Sequence, residues 1–254
     1  MGNSLDNPFS LTGKTILITG ASSGIGRATA IECSRMGASV VLSARNQERL
    51  KETLSMMEGE NHIIITADLN NEEEIHELSN NVPSLNGVVN VAGILCLKPL
   101  KFYSSTYVEN TFSINTFSGM YLIKNLLKMN KIHKDASLVF LSSIAASLVP
   151  SYSNGIYSAS KAAIDAYSRQ CALELSKMGI RSNSISPGLI KTELILNNPM
   201  YTTEDIKNAG KISLLNRLGK PEEIAWAIIF LLSDASKYIT GSSIIIDGGA
   251  HMKY

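Results

Sequence analysis

Short runs of β-branched and other apolar residues alternate along this chain with longer stretches whose apolar positions recur every three or four residues. The short runs predict strands at Thr15–Thr19, Ser39–Ser43, His62–Thr66, Gly87–Val91, Ser137–Ser143, Arg181–Ser186 and Ser243–Asp247. Most are apolar throughout rather than at alternate positions, as parallel strands covered on both faces require. Helical spacing fills the gaps, as in GRATAIECSRM after the first strand and INTFSGMYLIKNLLKM before the fifth. A further helix is predicted from Pro221, where Lys-Pro-Glu-Glu puts proline in the first turn and acids at the positive end of the helix dipole. The alternation predicts an α/β fold, a doubly wound parallel sheet with right-handed crossovers and helices on both faces. No linker, repeat or low-complexity stretch divides residues 1–254, which read as a single domain. The connection from Gly188 to Gly219 has weak helical pattern and follows the end of a strand, so it is a candidate lid or substrate loop. Within it Leu194, Ile195, Leu196, Met200 and Tyr201 form either an apolar pocket wall or ordinary packing.

Composition narrows the function. Apolar residues make up 44% and charged residues 18%, enough apolar material for a sizeable core. Net charge is +1 with no block of like charge, which disfavours nucleic acid or an anionic membrane as partner. Three scattered cysteines without a CxxC, and four scattered histidines, predict no metal site and reduced thiols in a cytoplasmic protein. MGNSLDNPFS has no apolar signal core, and Asp6 stands where a myristoylation motif needs Ser or Thr. The apolar window Ile224–Ser233 is too short to span a bilayer.

The chemistry begins at TGASSGIGRA, where Gly20, Gly24 and Gly26 lie between a strand and a helix. Glycine lets backbone approach a ligand closely, and a helix N-terminus offers free amides to a pyrophosphate. The spacing is TGxxxGxG rather than GxGxxG, and the GK[ST] ending of a nucleotide-hydrolase loop is missing. A glycine turn without any ligand is the alternative. An NAD site carries an acid about 20 residues past the glycines for the adenosine ribose. Here the second strand ends in Ser43, Ala44 and Arg45, with no carboxylate and a guanidinium suited to a phosphate. This predicts NADP(H), unless Arg45 is a solvated loop residue beside Glu48.

Tyr157 and Lys161 are four residues apart, so roughly 400° of helix puts them on one face, one turn apart. A free tyrosine titrates near about 10, and a fixed positive charge nearby brings that down toward useful proton exchange. The small residues Ser158, Ala159 and Ser160 leave room for cofactor and substrate. Alone, the spacing equally fits a surface tyrosine on a lysine stem.

In this order, TGASSGIG (19–26), ADL (67–69), NVAG (90–93), Asn115 in SINTFSG, LSS (141–143), YSASK (157–161), SPGLIKT (186–192) and IIIDGG (244–249) resemble the short-chain dehydrogenase/reductases over nearly the whole chain. RLGKPEEIAWAIIFLLSDASKYITGSSIIIDGG resembles most their 3-oxoacyl-carrier-protein-reductase-like branch. The resemblance implies a Rossmann-type seven-stranded sheet and an NADP(H)-dependent reduction of a ketone to a secondary alcohol. It implies Tyr157 as acid/base, Ser143 at the substrate carbonyl, Lys161 on the nicotinamide ribose and Asn115 holding a water relay to the lysine. Gly20, Ser22, Ser23, Gly24, Ile25 and Gly26 would line the phosphates and Arg45 the 2′-phosphate. Asp68 and Leu69 would face the adenine, and Asn90, Ala92 and Gly93 would run along the cofactor. Pro187, Gly188, Ile190 and Thr192 would hold its nicotinamide end. It also implies a homo-oligomer, dimer or tetramer, built on the helices carrying Asn115 and Tyr157 and on the C-terminal segment.

Three departures stand out. Val91 replaces a second asparagine, and the Ser143–Tyr157 loop is one residue longer than usual, leaving Ser142 as a rival to Ser143. Lys177 and Met178 stand where the branch places an arginine, which leaves docking of an acyl carrier protein open. Ser143, Asn115 and Asp68 each have a plainer role available, as strand-end serine, local helix bond and helix cap. Two rival functions are an NAD-linked alcohol, sugar or steroid dehydrogenase and a nicotinamide-sensing binding protein without turnover. Nucleotide preference separates the first, and tight cofactor binding without turnover the second.

Overall fold

The computed structural model describes residues 7–197, 202, 204 and 208–253, so Met200 and Tyr201 lie outside the described residues. The strands are β1 (Thr15–Thr19), β2 (Ser39–Ala44), β3 (Ile63–Thr66), β4 (Leu85–Asn90), β5 (Ile132–Leu141), β6 (Arg181–Pro187) and β7 (Ser243–Ile246). They form one parallel sheet in the order β3-β2-β1-β4-β5-β6-β7. The helices are α1 (Gly24–Arg35), α2 (Gln47–Ser55), α3 (Glu72–Asn81), α4 (Ser105–Phe112), α5 (Ser118–Lys128), α6 (Gly155–Leu175), the short α7 (Glu193–Leu196) and α8 (Pro221–Leu232).

Successive strand residues point to opposite faces, which explains the unbroken apolar runs. Ile16, Ile18, Val40 and Leu42 pack on one side with Ala30 and Cys33 of α1, Leu50 of α2 and Ile224 and Ile228 of α8. Leu17, Val41, Val88 and Leu138 pack on the other with Ile75 of α3, Leu122 and Leu126 of α5 and Ile164 of α6. Burying one such side chain stabilises the fold by about 2 kcal/mol, so each layer locks the sheet level. Among the described residues no helix is long and apolar enough to cross a membrane.

Two elements differ from the sequence pattern. β5 begins at Ile132 rather than Ser137, because Ile132 pairs with Leu85 while Ser137 pairs with Gly87. Residues 133–136 stand opposite the single Asn86, and the excess is accommodated by a bulge with Asp135 at φ 61°. The helical stretch from Ile114 is interrupted: Ser113–Phe117 form a π turn between α4 and α5. Such a turn re-aims a side chain and recurs at functional positions, and here it carries Asn115.

Candidate active site

The register places Thr19 beside both Ser43 and Asn90, and Asn90 beside Phe140. The carboxyl ends of β1, β2, β4 and β5 therefore lie level, and the loops leaving them enclose a cavity of about 460 Å³. It lies where the strand order reverses between β1 and β4, the usual ligand crevice of an open α/β sheet.

Gly20 and Gly24 stand at φ 69° and 52°, left-handed conformations that glycine adopts cheaply. A side chain on Gly20 would lie 3.1 Å from the Ala92 backbone, and one on Gly26 would lie 2.1 Å from the Gly20 carbonyl oxygen. The turn is pinned to β4 by Thr19, whose hydroxyl donates to Asn90 Oδ1 and accepts from the Val91 and Ala92 amides. Thr19 was not singled out in the sequence, although the TG pair was the available signal. The N-terminus of α1 faces the cavity with no side-chain cap at Ser23 and no acid in its first turn. This cradle fits a dinucleotide pyrophosphate.

Gly20, Ser22, Ser23, Gly24 and Ile25 line the cavity, as do Ala92, Gly93 and Thr192. Arg45, Asp68 and Leu69 line its other end. Asp68 does not cap α3, whose N-cap is Asn71, accepting from the Glu73 amide. Five other implied residues are not among those that line this cavity. Gly26 packs on Gly20, and Asn90 is 6% exposed and bonded to Thr19. Pro187 ends β6, Gly188 lies against the Asp247 backbone, and the buried Ile190 bridges to Gly219.

At the far end, β5 delivers two serines with different tasks. The Ser142 hydroxyl is buried and donates to the Lys161 carbonyl at 3.0 Å, tying β5 to α6. The Ser143 hydroxyl is half-buried and accepts from the Ala145 amide, and among the described residues it donates to no acceptor. The added length of the following loop is taken up outside, at the fully exposed Tyr152 and at Ser153 with φ 63°. Asn115 bonds neither a local carbonyl nor its own helix. Its Oδ1 accepts from the Ile94 amide at 2.8 Å, and its Nδ2 donates to the Ile94 carbonyl and to Ser160 Oγ.

Lys161 is 4% exposed and donates to the Leu141 carbonyl at 2.8 Å. Burial lowers its pKa from the ordinary 10.5 to about 8, since a low-dielectric site disfavours the charged form. Its ammonium lies 6.0 Å from the centre of the Tyr157 ring and 3.2 Å from where a Gly93 side chain would begin. Gly93, Ile94 and Leu141 line the cavity, so the Ser143, Asn115, Tyr157 and Lys161 cluster adjoins its end.

Ala44, Asn46, Arg49, Glu193 and Leu194 also line the cavity and were not anticipated as cofactor contacts. Arg49 lies in the first turn of α2, four residues after Arg45, which precedes the helix; the N-cap Asn46 accepts from the Arg49 amide at 3.0 Å. Ile195 turns inward and is buried, whereas Leu194 and Leu196 stay largely exposed.

Comparison with known proteins agrees with this geometry. The family model described as enoyl-(acyl carrier protein) reductase matches residues 20–251. A short-chain type dehydrogenase/reductase structure from Mycobacterium ulcerans superposes with a TM-score of 0.85 at 32% identity, covering 96% of this chain and 91% of that one. The chain belongs to the short-chain dehydrogenase/reductase family. It is 34% identical to a tropinone reductase homolog of Arabidopsis thaliana, over 96% of this chain and 94% of the relative. It is also 34% identical to an L-xylulose reductase of Caenorhabditis elegans, over 95% of this chain and 97% of the relative. These relatives fix an oxidoreductase enzyme that uses a nicotinamide cofactor and a small-molecule substrate. They are named for different substrates and do not single out the 3-oxoacyl-carrier-protein-reductase-like branch.

Proposed function

We propose that this short-chain dehydrogenase/reductase is an NADP(H)-dependent ketone reductase, with 3-oxoacyl compounds among its candidate substrates. The observation that carries the reading is the buried Lys161 ammonium on the same face of α6 as Tyr157, at the end of a dinucleotide-sized cavity. When bound, the nicotinamide supplies the hydride; the protein supplies everything else.

Ser143 has a hydroxyl proton to donate to the substrate carbonyl and steadies charge growing on its oxygen. Tyr157 gives that oxygen its proton. Lys161, held by the Leu141 carbonyl, provides the positive field that favours the tyrosinate left behind. Asn115 keeps the Ile94 segment against α6, and its own bond to Ser160 fixes the start of the catalytic turn. In the oxidative direction Tyr157 accepts the proton instead.

Lys161 gives the reading a pH signature. Its charge is present below a pKa of about 8 and lost above it. The kcat/KM for reduction is therefore expected to be level on the acid side of that value and to fall on the alkaline side, as the field on Tyr157 disappears. A profile that stays level well above it would remove Lys161 from the mechanism.

Support for NADP(H) over NAD(H) comes from the end of β2. No carboxylate stands there, and Arg45 is exposed on the cavity wall while Glu48 is taken by Lys51. The test is a panel of ketones, 3-oxoacyl thioesters included, assayed with NADPH and with NADH by loss of reduced-nicotinamide absorbance. Wild-type protein should prefer NADPH, and Arg45→Ala should reduce that preference by about tenfold or more, the scale of a lost charge-assisted phosphate contact. Equal kcat/KM values for the two cofactors in the wild type would refute the NADP(H) assignment.

A further inference from the structure

Arg49 and Glu193 belong to different parts of the chain, yet they form an ion pair between α2 and the start of α7. Both line the cofactor cavity. Arg49 shares its end of the cavity with Arg45, whereas Glu193 follows Thr192, whose methyl carbon lies 3.1 Å from where a Gly24 side chain would begin. The pair therefore ties the phosphate-binding end of the cavity to the segment proposed as a substrate loop. Arg45 has no ion-pair partner among the described residues, while Arg49 already holds an anion.

We propose that Arg49 is a second 2′-phosphate ligand, exchanged between Glu193 in the cofactor-free enzyme and the phosphate when NADP(H) binds. The inference rests on the NADP(H) reading above. A guanidinium forms its strongest bonds with anionic oxygens in a planar fork, and a phosphate carries more charge than a carboxylate. Arg49 is well placed to change partner, because its backbone is fixed by Asn46 and Thr53 while its side chain is 37% exposed. Glu193, 45% exposed, gives up little by returning to water. Loading with a 2′-phosphate thus frees the Thr192–Leu196 segment from α2, and loading with a nucleotide lacking it does not.

The test is calorimetric binding of adenosine 2′,5′-bisphosphate and of adenosine 5′-monophosphate, which isolates the phosphate contact from turnover. Arg49→Ala should weaken the bisphosphate about tenfold and leave the monophosphate within about twofold. Glu193→Gln should tighten the bisphosphate by about two- to fivefold, the most a half-exposed ion pair holds back. That gain should vanish when both substitutions are combined. Unchanged bisphosphate affinity in Arg49→Ala, no gain in Glu193→Gln, or a gain that persists in the double variant would each overturn the exchange. A preference for the bisphosphate lost in Arg45→Ala but intact in Arg49→Ala sinks this inference alone. Equal binding of both nucleotides by the wild type sinks the NADP(H) reading with it.

Discussion

Tyr157→Phe is expected to lower kcat/KM for ketone reduction by about 10²–10⁴-fold while changing the Kd for NADPH by less than about threefold. The substitution removes one hydroxyl and keeps the ring, whose centre lies 6.0 Å from the Lys161 ammonium. Ring packing and the position of Lys161 are thus retained, and Lys161 keeps its bond to the Leu141 carbonyl. What is lost is the proton that must reach the carbonyl oxygen as hydride arrives. Steady-state kinetics with a reactive ketone, beside fluorescence titration of NADPH, separates the two quantities. Turnover within about fivefold of wild type would show that another group or water protonates the product, and the mechanism proposed here would fall.

The second large effect concerns folding of the cradle itself. Gly26→Ala places a methyl group 2.1 Å from the Gly20 carbonyl oxygen and 2.6 Å from its carbon. Both are backbone atoms in a turn pinned by Thr19, so no side-chain rotation relieves the contact. Alanine is the better helix former by about 1 kcal/mol, which works the other way. Overpacking against fixed backbone costs about 3 kcal/mol or more and decides the sign. A net loss of about 2 kcal/mol in a chain of this size lowers the melting temperature by about 4–8 °C. Because the α1 N-terminus must retreat from Gly20, NADPH affinity should fall together with stability. Differential scanning calorimetry and NADPH titration read both; a melting temperature equal to or above wild type would show that the turn has slack the distances do not suggest.

The positions of most strands were legible in the chain because each is a short apolar run closed by a polar end, whereas their order in the sheet came from the structure. The family and the glycine turn were legible because several motifs occur in one order, and the family is what the comparisons bear out. β5 was misjudged at its start, since a bulge over 133–136 depends on where Leu85 and Gly87 find partners, which local composition does not encode. The π turn at Asn115 was likewise not read, because a single widened turn is too short for apolar spacing to separate from the helix on either side.

By itself the sequence determined the layers, the candidate catalytic residue types and the missing acid at the end of β2, all set by local patterning and side-chain chemistry. Only the tertiary structure decided which serine is spent on the Lys161 carbonyl and which accepts from the Ala145 amide, for Ser142 and Ser143 differ only in what lies opposite them. It alone brought Glu193 to Arg49 across 144 residues of chain, since ion pairs at that separation follow from how the sheet is wound and not from any spacing along it. It also buried Lys161, and desolvation, a property of the packed surroundings, is what lowers its pKa to about 8.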